Sequence, residues 1–237
     1  MRNKSHFHFK KFTVSHARST MKVGTDAVLL GAWANIAQAE TLLDIGTGNG
    51  TIALMLAQRS SEFATIDAVE IEESDAAQAE ENFKSSPWDS KIFLHHTSIQ
   101  NFISDKQYDC IVSNPPYFNN SQRPPGEKRH QARHTITLSY QELIDATVRL
   151  LKHNGKFNVV LPFTEGLQFI DLCRQNELFC ARQYSFRTRP EKAIERWLLE
   201  FGKYQVPTEA GEIVLYDEAE RWSDGYKKLT VDFYLKA

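Results

Sequence analysis

An apolar strand that runs directly into alternating glycines constrains this chain more than any other stretch. Leu42-Leu43-Asp44-Ile45 is followed by Gly46-Thr47-Gly48-Asn49-Gly50, and Thr51-Ile52-Ala53-Leu54-Met55-Leu56-Ala57 then opens a helix. Glycine reaches positive φ without strain and lets the backbone come close to a ligand. A strand, a glycine turn and a helix in that order point to nucleotide-type binding in an α/β fold, with a plain structural turn as the alternative. The dinucleotide fingerprint places its third glycine at the sixth position, which is Thr51 here. The acid in front, Asp44, would repel a pyrophosphate and suits a cationic ligand instead.

About 20 residues further on, Ala64-Thr65-Ile66-Asp67-Ala68-Val69-Glu70-Ile71 reads as the next strand. It ends in Glu70, a carboxylate placed to accept both hydroxyls of a ribose. Glu72, Glu73 and Asp75 follow and read as the acidic first turn of a helix. Strands are expected near 41–45, 64–71, 91–95, 108–113 and 155–161, alternating with helices near 50–60, 73–85, 139–152 and 164–175. That alternation predicts a parallel, doubly wound sheet. The runs 178–187 and 196–201, with Pro190 between them, predict an antiparallel hairpin that closes it, and Val231-Asp232-Phe233-Tyr234-Leu235 a short terminal strand. With no repeat, linker or low-complexity stretch, residues 1–237 read as one domain carrying a basic N-terminal extension over about 1–34.

The second motif is Asn114-Pro115-Pro116-Tyr117, directly after the apolar run Tyr108-Asp109-Cys110-Ile111-Val112-Ser113. Two prolines end the strand and stiffen the turn. Such a turn offers an amide oxygen, a proline carbonyl and an aromatic face, which together suit a planar amine. Ligands of doubly wound sheets bind at the carboxyl ends of the strands, and Asp44, Glu70 and Asn114 all fall there.

At 237 residues and 41% hydrophobic content the chain can bury one large core. It has no apolar run long enough to span a bilayer and no apolar segment behind Met1-Arg2-Asn3-Lys4, which predicts a cytoplasmic protein without membrane association. Cys110, Cys173 and Cys180 read as buried thiols, and the histidines show no metal-ligand spacing, so no metal is expected. The net charge of −2 hides an uneven distribution. Residues 1–22 carry Arg2, Lys4, Lys10, Lys11, Arg18 and Lys22 with no acid, while residues 23–84 are acidic. The stretch after Tyr117 carries Arg123, Lys128, Arg129 and Arg133 against Glu127, and a third cluster holds Arg182, Arg187, Arg189, Lys192 and Arg196. Three basic clusters beside a reactive loop predict a phosphate-bearing substrate such as RNA.

The glycines at 46, 48 and 50 resemble the cofactor loop of S-adenosylmethionine methyltransferases, and Asn-Pro-Pro-Tyr resembles the catalytic motif of those that methylate amines. Phe9-Lys10-Lys11-Phe12-Thr13-Val14, Met21-Lys22-Val23-Gly24-Thr25-Asp26 and Leu29-Leu30-Gly31-Ala32-Trp33 narrow the resemblance, as do Ala132-Arg133-His134 and the ending Leu229–Lys236. Together they are similar to the bacterial tRNA1(Val) adenine-37 N6-methyltransferase family over essentially the whole chain. The resemblance implies a Rossmann-like class I methyltransferase fold and methyl transfer from S-adenosylmethionine to the N6 amine of an adenine in the anticodon loop of a valine tRNA. It implies catalytic roles for Asn114, Pro115 and Tyr117. Asp44, Gly46, Gly48, Gly50, Glu70, Ser98 and Asp26 would serve the cofactor; Lys22, Phe118, Arg129 and Arg133 would serve the substrate. Ser98 is a departure, because many S-adenosylmethionine enzymes place an acid there for the cofactor's adenine amine. Guanine-N2 methylation of rRNA, glutamine methylation of a protein, and RNA binding without catalysis remain open alternatives.

Overall fold

The computed structural model describes residues 5–116 and 138–235. Tyr117, Phe118, Arg129 and Arg133, with the rest of the central basic stretch, lie outside them.

A hairpin of β1 (His6–His8) and β2 (Thr13–Ser15) opens the chain and α1 (Thr25–Trp33) follows. The alternating unit is then β3 (Thr41–Ile45), α2 (Thr51–Arg59), β4 (Thr65–Glu70), α3 (Glu73–Lys84), β5 (Ile92–His96) and β6 (Tyr108–Ser113). After the undescribed stretch come α4 (Tyr140–Leu150), β7 (Leu151–Pro162), α5 (Phe163–Gln175), β8 (Phe179–Arg187), β9 (Arg196–Gly202), β10 (Glu209–Val214) and α6 (Asp224–Thr230). Eight strands form one sheet in the order β10-β8-β9-β7-β6-β3-β4-β5. β9 alone runs against its neighbours, pairing antiparallel with both β7 and β8. The sheet is therefore doubly wound and closed by the expected hairpin.

Both faces are buried, so the strands read as apolar runs rather than strict alternation. Leu42, Ile66, Ala68, Cys110, Val112 and Val160 pack towards α1 and α2. Leu43, Ile45, Val69, Ile111, Val159 and Leu161 pack towards α4 and α5. Phe9, Phe12 and Val14 of the N-terminal segment join the first of these clusters, as does Trp33.

Three elements depart from expectation. The expected terminal strand at 231–235 is instead a turn after α6, with a single bridge between Tyr234 and Phe9. Ser223 caps α6 by accepting from the Tyr226 amide at 3.1 Å, and the chain turns back through Phe233 N–H to the Thr230 carbonyl at 2.9 Å. Alternating apolar residues there have no strand to join. α1 gives no amphipathic signal because Val28 through Trp33 are all buried, enclosed on every side. β10 is a polar edge strand, Glu-Ala-Gly-Glu-Ile-Val, parallel to β8, and lacks the apolar run that marks an inner strand.

Candidate active site

The glycine turn is built as its sequence requires. Gly46, Gly48 and Gly50 take φ of 71°, 57° and 83°. Gly46 and Thr47 donate their amides to the Val69 carbonyl, which moors the turn to the end of β4. A Cβ at Gly46 or Gly48 would meet nothing within 4 Å, so the turn presents bare backbone to open space. Gly50 differs: a Cβ there would lie 2.4 Å from the Phe83 ring of α3.

Asp44 is fully buried beneath this turn. Its Oδ2 accepts from the Thr47 hydroxyl at 2.6 Å and from the Ala53 amide in the first turn of α2 at 3.1 Å. Its Oδ1 is buried and has no hydrogen-bond partner among the described residues. Burial pushes its pKa up to about 7; Thr47 and Ala53 oppose the shift, and the charge of Glu70 adds to it. A carboxylate with one oxygen satisfied and one spare fits a cationic ligand group.

Glu70 closes β4 and touches the same turn. Oε2 accepts from the Gly48 amide at 2.8 Å, and Oε1 from the Ile71 and Glu72 amides at 2.8 and 2.9 Å. Burial raises its pKa although those amides favour the carboxylate. Both lone pairs of Oε1 are thus taken and one remains on Oε2, so a ribose hydroxyl can join them there. Ile71, partly exposed just beyond, adds an apolar surface. The spare Asp44 oxygen, the bare glycine backbone and the acceptor capacity of Glu70 together fit an S-adenosyl ligand.

One side chain joins the two motifs. Ser113, the last residue of β6, donates its hydroxyl to the Ile45 carbonyl at 2.9 Å. Asn114 and Gly46 are the next residues along each strand, so the Asn-Pro-Pro turn and the glycine turn leave the sheet side by side. Pro115 is buried and Pro116 exposed. Ser98 sits beyond β5 on the same edge, its Oγ accepting from the Asn101 amide at 3.3 Å. Arg149 of α4 steadies that turn through the carbonyls of Phe102 and Ile99.

A family model for the methyltransferase small domain matches residues 15–174. A tRNA1(Val) (adenine(37)-N6)-methyltransferase from Histophilus somni (strain 2336) is 42% identical over 237 residues, covering 99% of each chain. The protein of the same name from Pseudoalteromonas translucida is 43% identical over 232 residues, covering 98% of this chain and 99% of that one. The chain belongs to the tRNA1(Val) (adenine(37)-N6)-methyltransferase family.

A predicted O-methyltransferase from Agrobacterium tumefaciens superposes with a TM-score of 0.70 at 14% identity, covering 88% of this chain and 96% of that one. At that identity the likeness speaks for the methyltransferase fold alone.

The structure also places what sequence reasoning missed in this tRNA1(Val) methyltransferase-family chain. Residues 15–22 form a strap across α3 and the glycine turn. The Asn82 side chain accepts from the Ser15 amide and donates to the carbonyls of Ser15 and Asn49. Gln78 accepts from the Arg18 amide, and Asp75 from the Thr20 amide and hydroxyl. Asn49, within the glycine turn, donates to the Met21 carbonyl at 3.0 Å. Asp75, Gln78 and Asn82 recur along one face of α3, the one signal that could have revealed a polar docking stripe. Asp75 thus grips the strap besides standing in the acidic first turn of its helix. The strap leaves Met21 and Lys22 exposed at its end.

Several of the charged candidates are engaged within the fold. Asp26 accepts from Arg196 Nε at 2.9 Å, tying α1 to the start of β9. The third basic cluster is largely neutralised: Arg182 pairs with Glu200, Arg187 with Glu212, Arg189 with Glu220 and Arg196 with Asp26. Of its five cations only Lys192 makes no ion pair with a described residue. Among the described residues no group of three His, Cys, Asp or Glu side chains could hold a metal ion, and no helix is long and apolar enough to cross a membrane.

Proposed function

We propose that this chain methylates the N6 amine of adenine 37 in the anticodon loop of tRNA1(Val), using S-adenosylmethionine. The observation that carries the reading is the Ser113–Ile45 bond, which sets the Asn-Pro-Pro turn, read as the amine acceptor, beside the glycine turn, read as the cofactor loop. The names of the relatives, alike over nearly the whole chain, supply the substrate.

When bound, the cofactor supplies an electrophilic methyl group on a sulfonium. Asp44 Oδ1 would hold its ammonium, Glu70 Oε2 a ribose hydroxyl, and the open backbone of Gly46 and Gly48 would allow close approach; Ser98 would offer a hydroxyl rather than a charge to the adenine. The Asn114 side-chain oxygen and the Pro115 carbonyl accept the two protons of the target amine. That draws the nitrogen lone pair out of ring conjugation and aims it for attack. No base is needed beforehand, because the proton leaves after the new bond has formed. Acceleration comes from positioning and from dipoles fixed in advance. Tyr117, outside the described residues, follows directly and would stack on the adenine once it is turned out of its neighbours' stack. Lys22, exposed on the strap, would meet RNA phosphate, with Phe118, Arg129 and Arg133 assigned to the substrate by resemblance.

The test is to incubate bulk tRNA from cells lacking this gene with the protein and methyl-labelled S-adenosylmethionine, then digest it and identify the labelled nucleoside. N6-methyladenosine confined to valine tRNA is expected. Labelled N2-methylguanosine, or label in protein, would overturn the substrate while keeping the chemistry. No label would overturn the enzymatic reading.

A further inference from the structure

The carboxyl edge of the sheet divides by strand order. Cofactor-side groups follow β3, β4 and β5, Asn114 follows β6, and the exits of β7 and β8 lie beyond it on the other side. That far side carries a built surface. Ser113 stands beside Val159, and β7 continues three residues further to Pro162, so α5 begins above the edge, one strand over from Asn114. Its first residue, Phe163, is 38% exposed and stacks on Trp197 with ring centres 5.7 Å apart and planes 26° apart. Gly166 packs so closely on the same indole that a Cβ would come within 2.6 Å of it. The aromatic pair is therefore backed by helix and strand.

The β8–β9 tip, residues 188–195, is joined to this pair: the Phe163 amide donates to the Glu195 carbonyl at 3.2 Å. The tip is locked from within. Arg187 donates to the carbonyls of Pro190 and Lys192, both at 3.1 Å, and Glu195 accepts from the amide and hydroxyl of Thr188. Arg189 is held by Glu220. Every arginine around the tip is spent on holding the fold, and exposed Lys192 is left as its uncommitted cation among the described residues, beside exposed Glu191. At about 4.8 Å per strand and about 3.3 Å per residue, Phe163 stands on the order of 10 Å from Asn114, within reach of a nucleotide next to the target, and the tip lies beyond it.

We propose that this surface is a second RNA contact, in which a base flanking the target adenine stacks on Phe163 and its phosphodiester meets Lys192. Aromatic platforms beside fixed cations are how proteins hold single-stranded RNA. The platform's rigidity lowers the ordering cost of binding. The inference rests on the RNA reading above and adds to it the residues that hold the neighbouring nucleotide.

The experiment is fluorescence anisotropy with a labelled, unmodified valine-tRNA transcript over a salt series, with S-adenosylmethionine affinity by calorimetry as the control. Lys192→Ala should weaken binding and make the salt slope shallower by about one, and Lys192→Arg should restore both. Glu191→Gln should tighten binding by removing a like charge to the phosphate. Phe163→Leu keeps apolar bulk but not the stacking face, and should weaken binding about tenfold with little change in slope; Phe163→Tyr should retain it. Cofactor affinity should be the same in every variant. Wild-type affinity and slope in both Lys192→Ala and Phe163→Leu would overturn this contact alone. A wild-type protein that binds no tRNA would overturn the RNA reading and this contact with it.

Discussion

The Thr47 hydroxyl lies 2.6 Å from Asp44 Oδ2, while Oδ1 of the same buried carboxyl has no partner among the described residues. Burial outweighs the bond and pushes the pKa to about 7. The unfolded value is near 4, so the native state without ligand binds this proton more tightly than the unfolded chain does. Between about pH 4 and 7 its stability therefore falls as pH rises. A cation bound at Oδ1 prefers the carboxylate, so binding below pH 7 must release the proton. Calorimetry should show S-adenosylmethionine affinity rising with pH, by up to about tenfold per unit, and levelling above about 7. Proton release should be detectable as a dependence of the binding enthalpy on buffer. Asp44→Asn should bind weakly at every pH. A flat wild-type profile would remove Asp44 from cofactor binding.

Why some of this was legible in the sequence and some was not comes down to distance along the chain. β3 and β6 lie at their expected bounds because apolar runs end there at Gly46 and at Pro115-Pro116, which no strand tolerates. The carboxyl-edge placement of Asp44, Glu70 and Asn114 follows from the same local logic. The pairing of Asp26 with Arg196 spans 170 residues, and no local pattern betrays it. A run of arginines looks like a phosphate site until the fold supplies Glu200, Glu212 and Glu220 from other segments. α1 hid for a different reason, since periodicity marks a helix only when one face meets water.

Asn82 is the keystone of the strap, and its loss should be felt in two places. Three hydrogen bonds converge on this buried side chain. Asn82→Ala strands the amide and carbonyl of Ser15 and the carbonyl of Asn49, at a cost of about 2–4 kcal/mol. Thermal melting should fall by several degrees. Trypsin should cut at Arg18 and Lys22 far faster than in the wild type, because the strap opens before the sheet does. Cleavage at the wild-type rate would mean that the strap is held without Asn82.

Ser113 and Asn114 should separate under mutation. Asn114→Ala removes an acceptor from the transition state and should lower turnover about 10²–10³-fold with cofactor affinity intact. Ser113→Ala removes the 2.9 Å bond to Ile45 but leaves the acceptors present. Its stability cost should be about 1 kcal/mol. Turnover should fall by less than for Asn114→Ala, through looser placement of the turn. Single-turnover rates measured with bound cofactor distinguish the two. Equal and small effects would take Asn114 out of the chemistry.

Gly48 and Gly50 share positive φ but face different neighbours, which makes them a matched pair. Alanine at either position strains the backbone, since a Cβ is disfavoured there by about 1–2 kcal/mol. At Gly50 the Cβ would also strike the Phe83 ring at 2.4 Å, inside the core between α2 and α3. Gly50→Ala should therefore damage the fold itself, with a marked drop in melting temperature. At Gly48 a Cβ meets no atom within 4 Å and enters the open space where the cofactor backbone approach is proposed. Gly48→Ala should melt closer to the wild type yet bind S-adenosylmethionine far more weakly. Melting curves and calorimetry on the two variants settle the matter. Wild-type cofactor affinity in folded Gly48→Ala would place the ligand elsewhere on the edge.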